Sequence, residues 1–323
     1  MDSKTRVLTA LAHKKPDRAP FNFWMDRRLM AQFEKEVGHR HWRVTHFGAD
    51  VIETFPYLDF PQGESIMHEG SSWIKGPCFE DWSKIGDLRM PDPKNEKVYE
   101  LIKQDVAEFP DKFILLDMIT PWGVIAGMRT YENIYMDMYT APDEFKKLSK
   151  RILDVMKVTV ERACKIGVSA LYLLEDLATS SGLAMSPKMI REFCFDYARD
   201  MVDIAKSYNL PVLFHSDGSI LDLVELLPDL DVKAVNPLQP FLNDFGTFKK
   251  RFGDKMAVYG GLDNCFIIPD GTVKDVHDHV IDTWEKLGKQ DGALIFSTHD
   301  IPIQTPRENV EEMVRTIKEE CVY

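Results

Sequence analysis

The stretch that decides the fold class is Leu210-Pro-Val-Leu-Phe-His-Ser-Asp-Gly218. Its first half is mostly apolar, which is typical of a strand buried on both faces of a parallel sheet. Because ligands of parallel α/β folds bind at the carboxyl ends of the strands, we expect His215 to lie at a binding site. A buried histidine whose ring nitrogens are hydrogen-bonded to core neighbours would fit the same local pattern. Other parts of the chain are therefore needed to distinguish a binding-site histidine from a structural one.

Seven other short apolar runs alternate with segments of helical periodicity. This alternation predicts parallel strands joined by helices, and eight strands predict an α/β fold of the (β/α)8 TIM barrel type, as a single domain over residues 1–323. In chain order, the other strands are expected at Ala19–Phe23, Gly48–Thr54, Lys112–Asp117, Val168–Leu174, Val232–Val235, Met256–Tyr259 and Ala293–Phe296.

Residues 55–94 interrupt the alternation, because prolines and glycines are frequent there. We call them the cover segment. A long irregular insert after a barrel strand is typical of a cover over the site, and we expect a hairpin within it near Ser72–Gly76.

Composition narrows the function classes. The chain has 323 residues and a net charge of −12, which disfavours binding to nucleic acid or to an anionic membrane surface. No apolar run approaches the roughly 20 residues that a membrane helix needs. The five cysteines are scattered and form no CxxC pair, as expected for a protein of the reducing cytoplasm. A small-molecule substrate is the remaining expectation.

Polar side chains occur near the carboxyl ends of the predicted strands. They are Asp26, Asp50 or Glu53, Asp117, Glu175, His215, Asn236, Asp263 and His299. Two histidines and several carboxylates at one mouth indicate a metal or acid/base site. Glu175, His215 and His299 would suit zinc with an open fourth position, and Asp217 either replaces one of them or orients a histidine. We therefore expect His215, Asp217 and Glu175 to take part in catalysis.

Large apolar side chains accompany these polar ones. Trp24, Met25 and Trp122 lie at expected strand ends, where they would form the wall of a substrate pocket. Asp26, Asn236 and Asp263 are candidates for contacts with polar groups of the substrate. The chain has no HExxH, P-loop, GxGxxG or GxSxG motif, which disfavours the common motif-based enzymes.

Several short elements resemble the uroporphyrinogen decarboxylase superfamily, which also contains corrinoid-dependent methyltransferases. Their order and spacing cover about 300 residues, and the superfamily fold is a (β/α)8 barrel. The elements are Arg6-Val-Leu-Thr-Ala-Leu with Lys15-Pro-Asp-Arg-Ala-Pro20, Trp24-Met25, Pro121-Trp122-Gly123, His215-Ser-Asp-Gly218, Gly260-Gly-Leu-Asp263 and Thr305-Pro-Arg-Glu-Asn309.

Differences from the superfamily's sequence patterns indicate which branch of the superfamily this chain resembles. Decarboxylases carry Trp-Met-x-Arg-Gln-Ala-Gly-Arg, whose arginines bind substrate carboxylates, whereas Asp26-Arg-Arg-Leu follows Trp24-Met25 here. Thiol-alkylating members bind zinc through His-x-Cys and a distant Cys. This chain keeps His215 but has Asp217 at the first Cys position and His299 at the distant one. Such a nitrogen and oxygen site suits zinc that polarises the oxygen of a methyl ether.

The resemblance therefore implies the first methyltransferase of an O-demethylase system. It would pass a methyl group from a methoxylated, possibly aromatic, small molecule to a Co(I) corrinoid (cobalamin) on a separate corrinoid-binding protein. Two alternatives remain: a decarboxylase of another carboxylated substrate that needs no metal, and a non-catalytic subunit that binds the corrinoid protein. The sequence leaves the oligomeric state open, with a homodimer as one option.

Overall fold

The computed structural model of the protein describes residues 1–68 and 71–323. Its strands in chain order are β1 (Val51–Thr54), β2 (Glu64–His68), β3 (Ser71–Gly76), β4 (Phe113–Ile119), β5 (Ala170–Leu174), β6 (Ala178–Thr179), β7 (Gly182–Leu183), β8 (Val212–His215), β9 (Ala234–Asn236), β10 (Ala257–Gly261) and β11 (Leu294–Ser297).

The helices surround the strands, as expected for alternating strands and helices. They are α1 (Ser3–Leu11), α2 (Arg27–Val37), α3 (Trp42–Thr45), α4 (Glu100–Glu108), α5 (Pro121–Arg129), α6 (Tyr131–Thr140), α7 (Pro142–Ile166), α8 (Pro187–Ile190), α9 (Asp196–Ser207), α10 (Leu221–Val224), α11 (Phe245–Phe252), α12 (Ile267–Asp270), α13 (Val273–Leu287) and α14 (Arg307–Glu319). A π-helical turn, Arg191–Phe195, joins α8 to α9, and short 3-10 turns cover Trp82–Asp87, Glu96–Tyr99 and Leu227–Leu230.

Seven strands form one curled parallel sheet in the order β1-β4-β5-β8-β9-β10-β11. The gap between its edges is closed by the predicted first strand, Ala19–Phe23, which makes single parallel bridges in place of a continuous ladder. Its Phe21 bridges Phe296 on β11, and the Phe21 carbonyl accepts from Asp50 N–H next to β1. Pro20 has no N–H to donate, which shortens the ladder. The predicted TIM barrel is thus confirmed.

Side chains alternate between the inside and the outside of the barrel. The interior cluster contains Val51, Phe113, Leu115, Tyr172 and Tyr259, and α1 packs against it. A second and larger cluster fills the space between the strands and the outer helices. This alternation fixes which residues near each strand end point into the mouth.

The cover segment contains the predicted hairpin, because β2 and β3 pair antiparallel. Its residues 69 and 70 lie outside the described residues. Backbone hydrogen bonds attach it to α5 and its neighbourhood: Gly63 N–H donates to the Gly127 carbonyl, and Cys78 N–H donates to the Met128 carbonyl. Among residues 1–68 and 71–323, no helix combines the length and the apolar character needed to cross a bilayer.

Asp50 holds the closing strand in place. It precedes β1 at the amino end of the barrel, so it does not reach the mouth. Its fully buried carboxylate accepts from Arg6 at 2.6 Å, from Arg18 at 2.8 Å and from the Phe21 N–H at 3.0 Å. The carboxylate therefore joins α1, the loop after it and the closing strand.

Replacing Asp50 with Asn should lower the free energy of unfolding by about 3–5 kcal/mol, because it removes the one fully buried charge that pairs with both Arg6 and Arg18. Asp17→Asn is the matched control, since Asp17 also pairs with Arg6 but its side chain is 42% exposed. It should cost about 1 kcal/mol or less. Urea unfolding of both variants measures the difference, and equal losses would contradict the role of Asp50 in closure.

Candidate active site

Two histidines and an aspartate meet at the carboxyl end of the barrel. His215 ends β8, Asp217 follows two residues later, and His299 lies just after β11. Each offers one donor atom, and these atoms all lie within 4.8 Å of one another. Nε2 of His299 is 3.1 Å from Oδ2 of Asp217, and the two imidazole rings are nearly parallel with centroids 6.0 Å apart. This group matches the donor types of a zinc site.

Asn236 fixes the tautomer of His215. The Asn236 side-chain amide donates to the Tyr259 carbonyl at 2.6 Å, so its oxygen is the atom that faces Nδ1 of His215 at 2.7 Å. An amide oxygen only accepts, so Nδ1 of His215 carries the proton. The lone pair is therefore on Nε2, which lies 3.5 Å from Oδ1 of Asp176. A histidine whose Nδ1–H is held by a neighbouring acceptor is the usual arrangement of a metal-binding histidine.

Asp217 and His299 stabilise each other's charged forms. Burial opposes ionisation of Asp217, but its hydrogen bond to His299 and the charges of His215 and His299 outweigh burial and lower the pKa of its carboxyl. Burial likewise opposes charge on His299, but the hydrogen bond and the charge of Asp217 raise its pKa. The other Asp217 oxygen, Oδ1, is buried without a hydrogen-bond partner. A cation bound here would satisfy that oxygen.

The structure does not bring Glu175 to the two histidines, in contrast to the predicted set of Glu175, His215 and His299. Tyr172 and Leu174 face the interior, so alternation turns Glu175 outward. There its carboxyl accepts from the backbone N–H of Gly123 in α5. Burial and the charge of Asp176 raise the pKa of Glu175 well above its ordinary value. Asp217, which the sequence analysis gave as an alternative ligand, lies with the two histidines instead of Glu175.

The residues around Trp24 are held by local contacts. Trp24 is half-buried, and the Arg43 guanidinium lies 4.4 Å above its ring. Met25 is fully buried and bridges Ile301. Asp26 caps α2 and forms an ion pair with Arg28 at 2.8 Å. Of these three predicted substrate contacts, only Trp24 and Asp26 retain exposed surface.

Trp122 and Asp263 lie apart from the metal-donor group. Trp122 is in the first turn of α5, a helix that the sequence pattern did not predict, and it is fully buried against Tyr131 and Tyr135. Asp263 accepts from the backbone N–H groups of Cys265 and Phe266 and lines a separate cavity of about 500 Å³. The predicted wall of Trp24, Met25 and Trp122 is therefore not one surface.

Two further carboxyl groups point into the barrel next to this group. Glu53 on β1 is in register with Leu115 on β4, and Asp117 lies two residues along the same face. The Tyr259 hydroxyl donates to Oε1 of Glu53 at 2.5 Å. Burial raises the pKa of both carboxyls, and the charge of Glu53 raises the pKa of Asp117 further. The sequence analysis placed Glu53 and Asp117 at strand ends. Only the structure, in which both side chains face inward on neighbouring strands, identifies them as a pair.

Tyr172 connects the carboxyl pair to the metal-donor group. It is in register with Asp117 on β4, and its hydroxyl lies 3.4 Å from Nδ1 of His215. The sequence analysis did not identify Tyr172 and Tyr259. Each is a polar residue at an inward-facing position of an otherwise apolar strand, and this alternation could have identified them.

Asp117 also lines a cavity of about 350 Å³ between the cover segment, β4 and α5. A larger cavity of about 630 Å³ lies between residues 57–62 and 89–98, and Phe60 and Gln62 line both cavities. Among the cavities of the described residues, the one with Asp117 is the closest match to a substrate pocket, since strand-end side chains line it.

Comparisons with known proteins place the chain in a family. A uroporphyrinogen decarboxylase from a Nitratiruptor species is 24% identical over 261 residues, which cover 75% of this chain and 72% of that protein. One from Trichodesmium erythraeum is 22% identical over 282 residues, covering 84% and 76%. A solved structure of a methyltransferase from Methanosarcina mazei superposes with a TM-score of 0.77 at 16% identity over 99% of both chains, which shows the shared fold.

The sequence pattern that defines one enzyme family, uroporphyrinogen decarboxylase (URO-D), matches residues 64–320, well over half of the chain. The barrel and the strand-end site described above agree with that match. The protein therefore belongs to the uroporphyrinogen decarboxylase (URO-D) family.

Proposed function

We propose that the protein is a methyltransferase that moves a methyl group from a methoxylated small molecule to a Co(I) corrinoid held by a separate corrinoid-binding protein in the cytoplasm. Zinc is the proposed metal, with His215, Asp217 and His299 as its ligands. The observation that carries the proposal is the convergence of these three side chains, with donor atoms within 4.8 Å, at the barrel mouth.

The residues present fit zinc on two counts. Two imidazole nitrogens and a carboxylate oxygen are a ligand set that catalytic zinc uses, with one position left for substrate. The buried and unpartnered Oδ1 of Asp217 also requires a cation or a donor. When bound, zinc would supply a Lewis acid that draws electron density from the oxygen of a methyl ether.

The protein's own residues would prepare this site. Asn236 holds His215 as the Nδ1–H tautomer, which leaves Nε2 for the metal. The Asp217 backbone N–H donates to Asp176 at 3.1 Å, which fixes the turn after β8. Trp24 and Asp26 are the predicted substrate contacts at the rim. Together these groups position the donor, which lowers the entropic cost of an in-line methyl transfer.

A porphyrinogen decarboxylase is the main alternative, since the relatives carry that name. Binding a substrate with eight carboxylates requires a basic cleft. The inward side chains here include three carboxyls, Glu53, Asp117 and Asp217, and no arginine or lysine among the described residues of the metal-donor group. Arg43 is a nearby cation, but it stacks on Trp24 and donates to the Phe23 carbonyl. This acidic lining favours methyl transfer over decarboxylation of a polyanion.

A non-catalytic subunit that only binds the corrinoid protein is the third possibility. It would have no use for a fixed histidine tautomer or for two histidines aligned on one carboxylate. The fold neighbour from Methanosarcina mazei, itself a methyltransferase by name, supports the catalytic option.

Metal analysis of the purified protein should show about one zinc per chain. His215→Ala, Asp217→Ala and His299→Ala should each lose the metal on dialysis, because three protein ligands would become two. Glu175→Gln is the matched control and should keep it, since Glu175 faces α5. Zinc-free wild-type protein with full activity, or zinc lost from Glu175→Gln but retained by Asp217→Ala, would refute this ligand set.

His215→Ala should also lower methyl transfer from a methoxylated compound by about 10³-fold or more, because loss of a Lewis acid removes several kcal/mol of transition-state stabilisation. Docking of the corrinoid protein should change little, since it would use the rim. Turnover can be followed by formation of methyl-cobalt, and docking by calorimetry. Near-normal turnover of His215→Ala would contradict the proposal.

A further inference from the structure

The cavity of about 350 Å³ that Asp117 lines has an unusual lining. Most of it is apolar, with Phe60, Ile119, Val124 and Leu174 as examples, and its polar side chains are Asp117 and Gln62. Among the described residues that line it, none is lysine, arginine or histidine. A carboxyl group thus faces an apolar space without a cation to neutralise it.

Asp117 and Glu53 both have an oxygen that nothing in the described protein satisfies. Oδ1 of Asp117 and Oε2 of Glu53 are buried without a hydrogen-bond partner, whereas Oε1 of Glu53 accepts from Tyr259. Buried polar atoms are rarely left unpaired, and an unpaired oxygen on a side chain that lines a cavity, as Asp117 does, indicates a ligand. The two side chains lie on neighbouring strands and on the same inward face.

The groups around Asp117 favour its neutral form. Burial raises its pKa well above the ordinary value, and the charge of Glu53 adds to that effect. Arg43 acts in the opposite direction, but its guanidinium is occupied by Trp24 and the Phe23 carbonyl. Burial and the neighbouring Glu53 therefore favour the protonated form of Asp117, in which the carboxyl is an O–H donor.

We propose that Asp117 is the acid that hydrogen-bonds the methylated oxygen of a substrate in this cavity and protonates that oxygen as the methyl group leaves, with Glu53 as its positioning residue. This inference rests on the proposed function and names a further catalytic residue for it. Tyr172 lies between Asp117 and the metal-donor group, because it pairs with Asp117 in the sheet and its hydroxyl is 3.4 Å from Nδ1 of His215.

The chemical step balances. The carbon–oxygen bond breaks with its electron pair going to oxygen, and the electron pair of the Co(I) acceptor forms the new bond to carbon. The proton of Asp117 moves to the oxygen, so the product leaves as a neutral alcohol or phenol and Asp117 becomes a carboxylate. Solvent returns the proton before the next turnover.

The lining also specifies the class of substrate. An apolar cavity with a neutral acid accepts an uncharged methyl ether, whereas a carboxylated ether would bring a buried anion into a cavity whose described lining offers no counter-charge. A nonpolar aryl or alkyl methyl ether is therefore the expected donor, and carboxylated analogues should be poor ones.

The test compares two uncharged methyl ethers, an alkyl ether with a poor leaving group and a nitrophenyl ether with a good one. Formation of methylcobalamin from reduced cobalamin is followed by absorbance. General acids contribute about 10²–10⁴-fold, so Asp117→Asn should slow the alkyl ether by about that factor but the nitrophenyl ether by less than about tenfold. KM should change little for either ether, because the cavity keeps its shape.

Asp59→Asn is the matched control, because it removes a carboxylate from an exposed position of the cover segment outside this cavity. It should leave both rates unchanged, and circular dichroism checks that Asp117→Asn folds. If Asp117→Asn slows both ethers equally or neither, while the wild type is active, this inference alone fails. A wild type that forms no methylcobalamin from any ether overturns the proposed function and this inference together.

Discussion

Alternation of side chains along the parallel strands is the constraint on which the site depends. Each strand of the barrel directs every second residue inward. In the lower layers these residues are apolar, such as Val51, Phe113 and Ala234, and they fill the interior. Toward the carboxyl end, the same parity places Glu53, Asp117 and His215 inside. A shift of one residue in any of these strands would turn its polar group to the helix layer, which is where normal alternation after Leu174 already places Glu175.

The sequence pattern was sufficient for the architecture. Apolar runs bounded by turn residues located all eight strands of the barrel, since burial on both faces leaves a continuous apolar signature. The pattern was less informative for elements whose conformation depends on tertiary contacts. Ala19–Phe23 closes the barrel through single bridges and the buried carboxylate of Asp50. Helix α5 was not predicted, although Pro121 occupies its first turn, a position to which proline is well suited.

The site could be predicted only in part for a related reason. Strand ends identified His215 and His299, because a polar residue after a buried run is conspicuous. Proximity along the chain could not show that Asp217 joins them while Glu175 faces α5. The chain turns after β8, which allows Asp217 to reach His299 at 3.1 Å. Trp122 gave the same false signal as Glu175, since it follows a strand but packs outward against Tyr131 and Tyr135.

The central claim is that two imidazoles and a carboxylate, with no thiolate, hold zinc at the barrel mouth. X-ray absorption at the zinc edge of the purified protein tests it most directly, because sulfur and nitrogen or oxygen ligands differ in bond length. The account predicts a first shell of nitrogen and oxygen at about 2.0–2.2 Å with imidazole scattering beyond it. A sulfur shell at about 2.3 Å, or a spectrum unchanged in a His215→Ala and His299→Ala double variant, would contradict it.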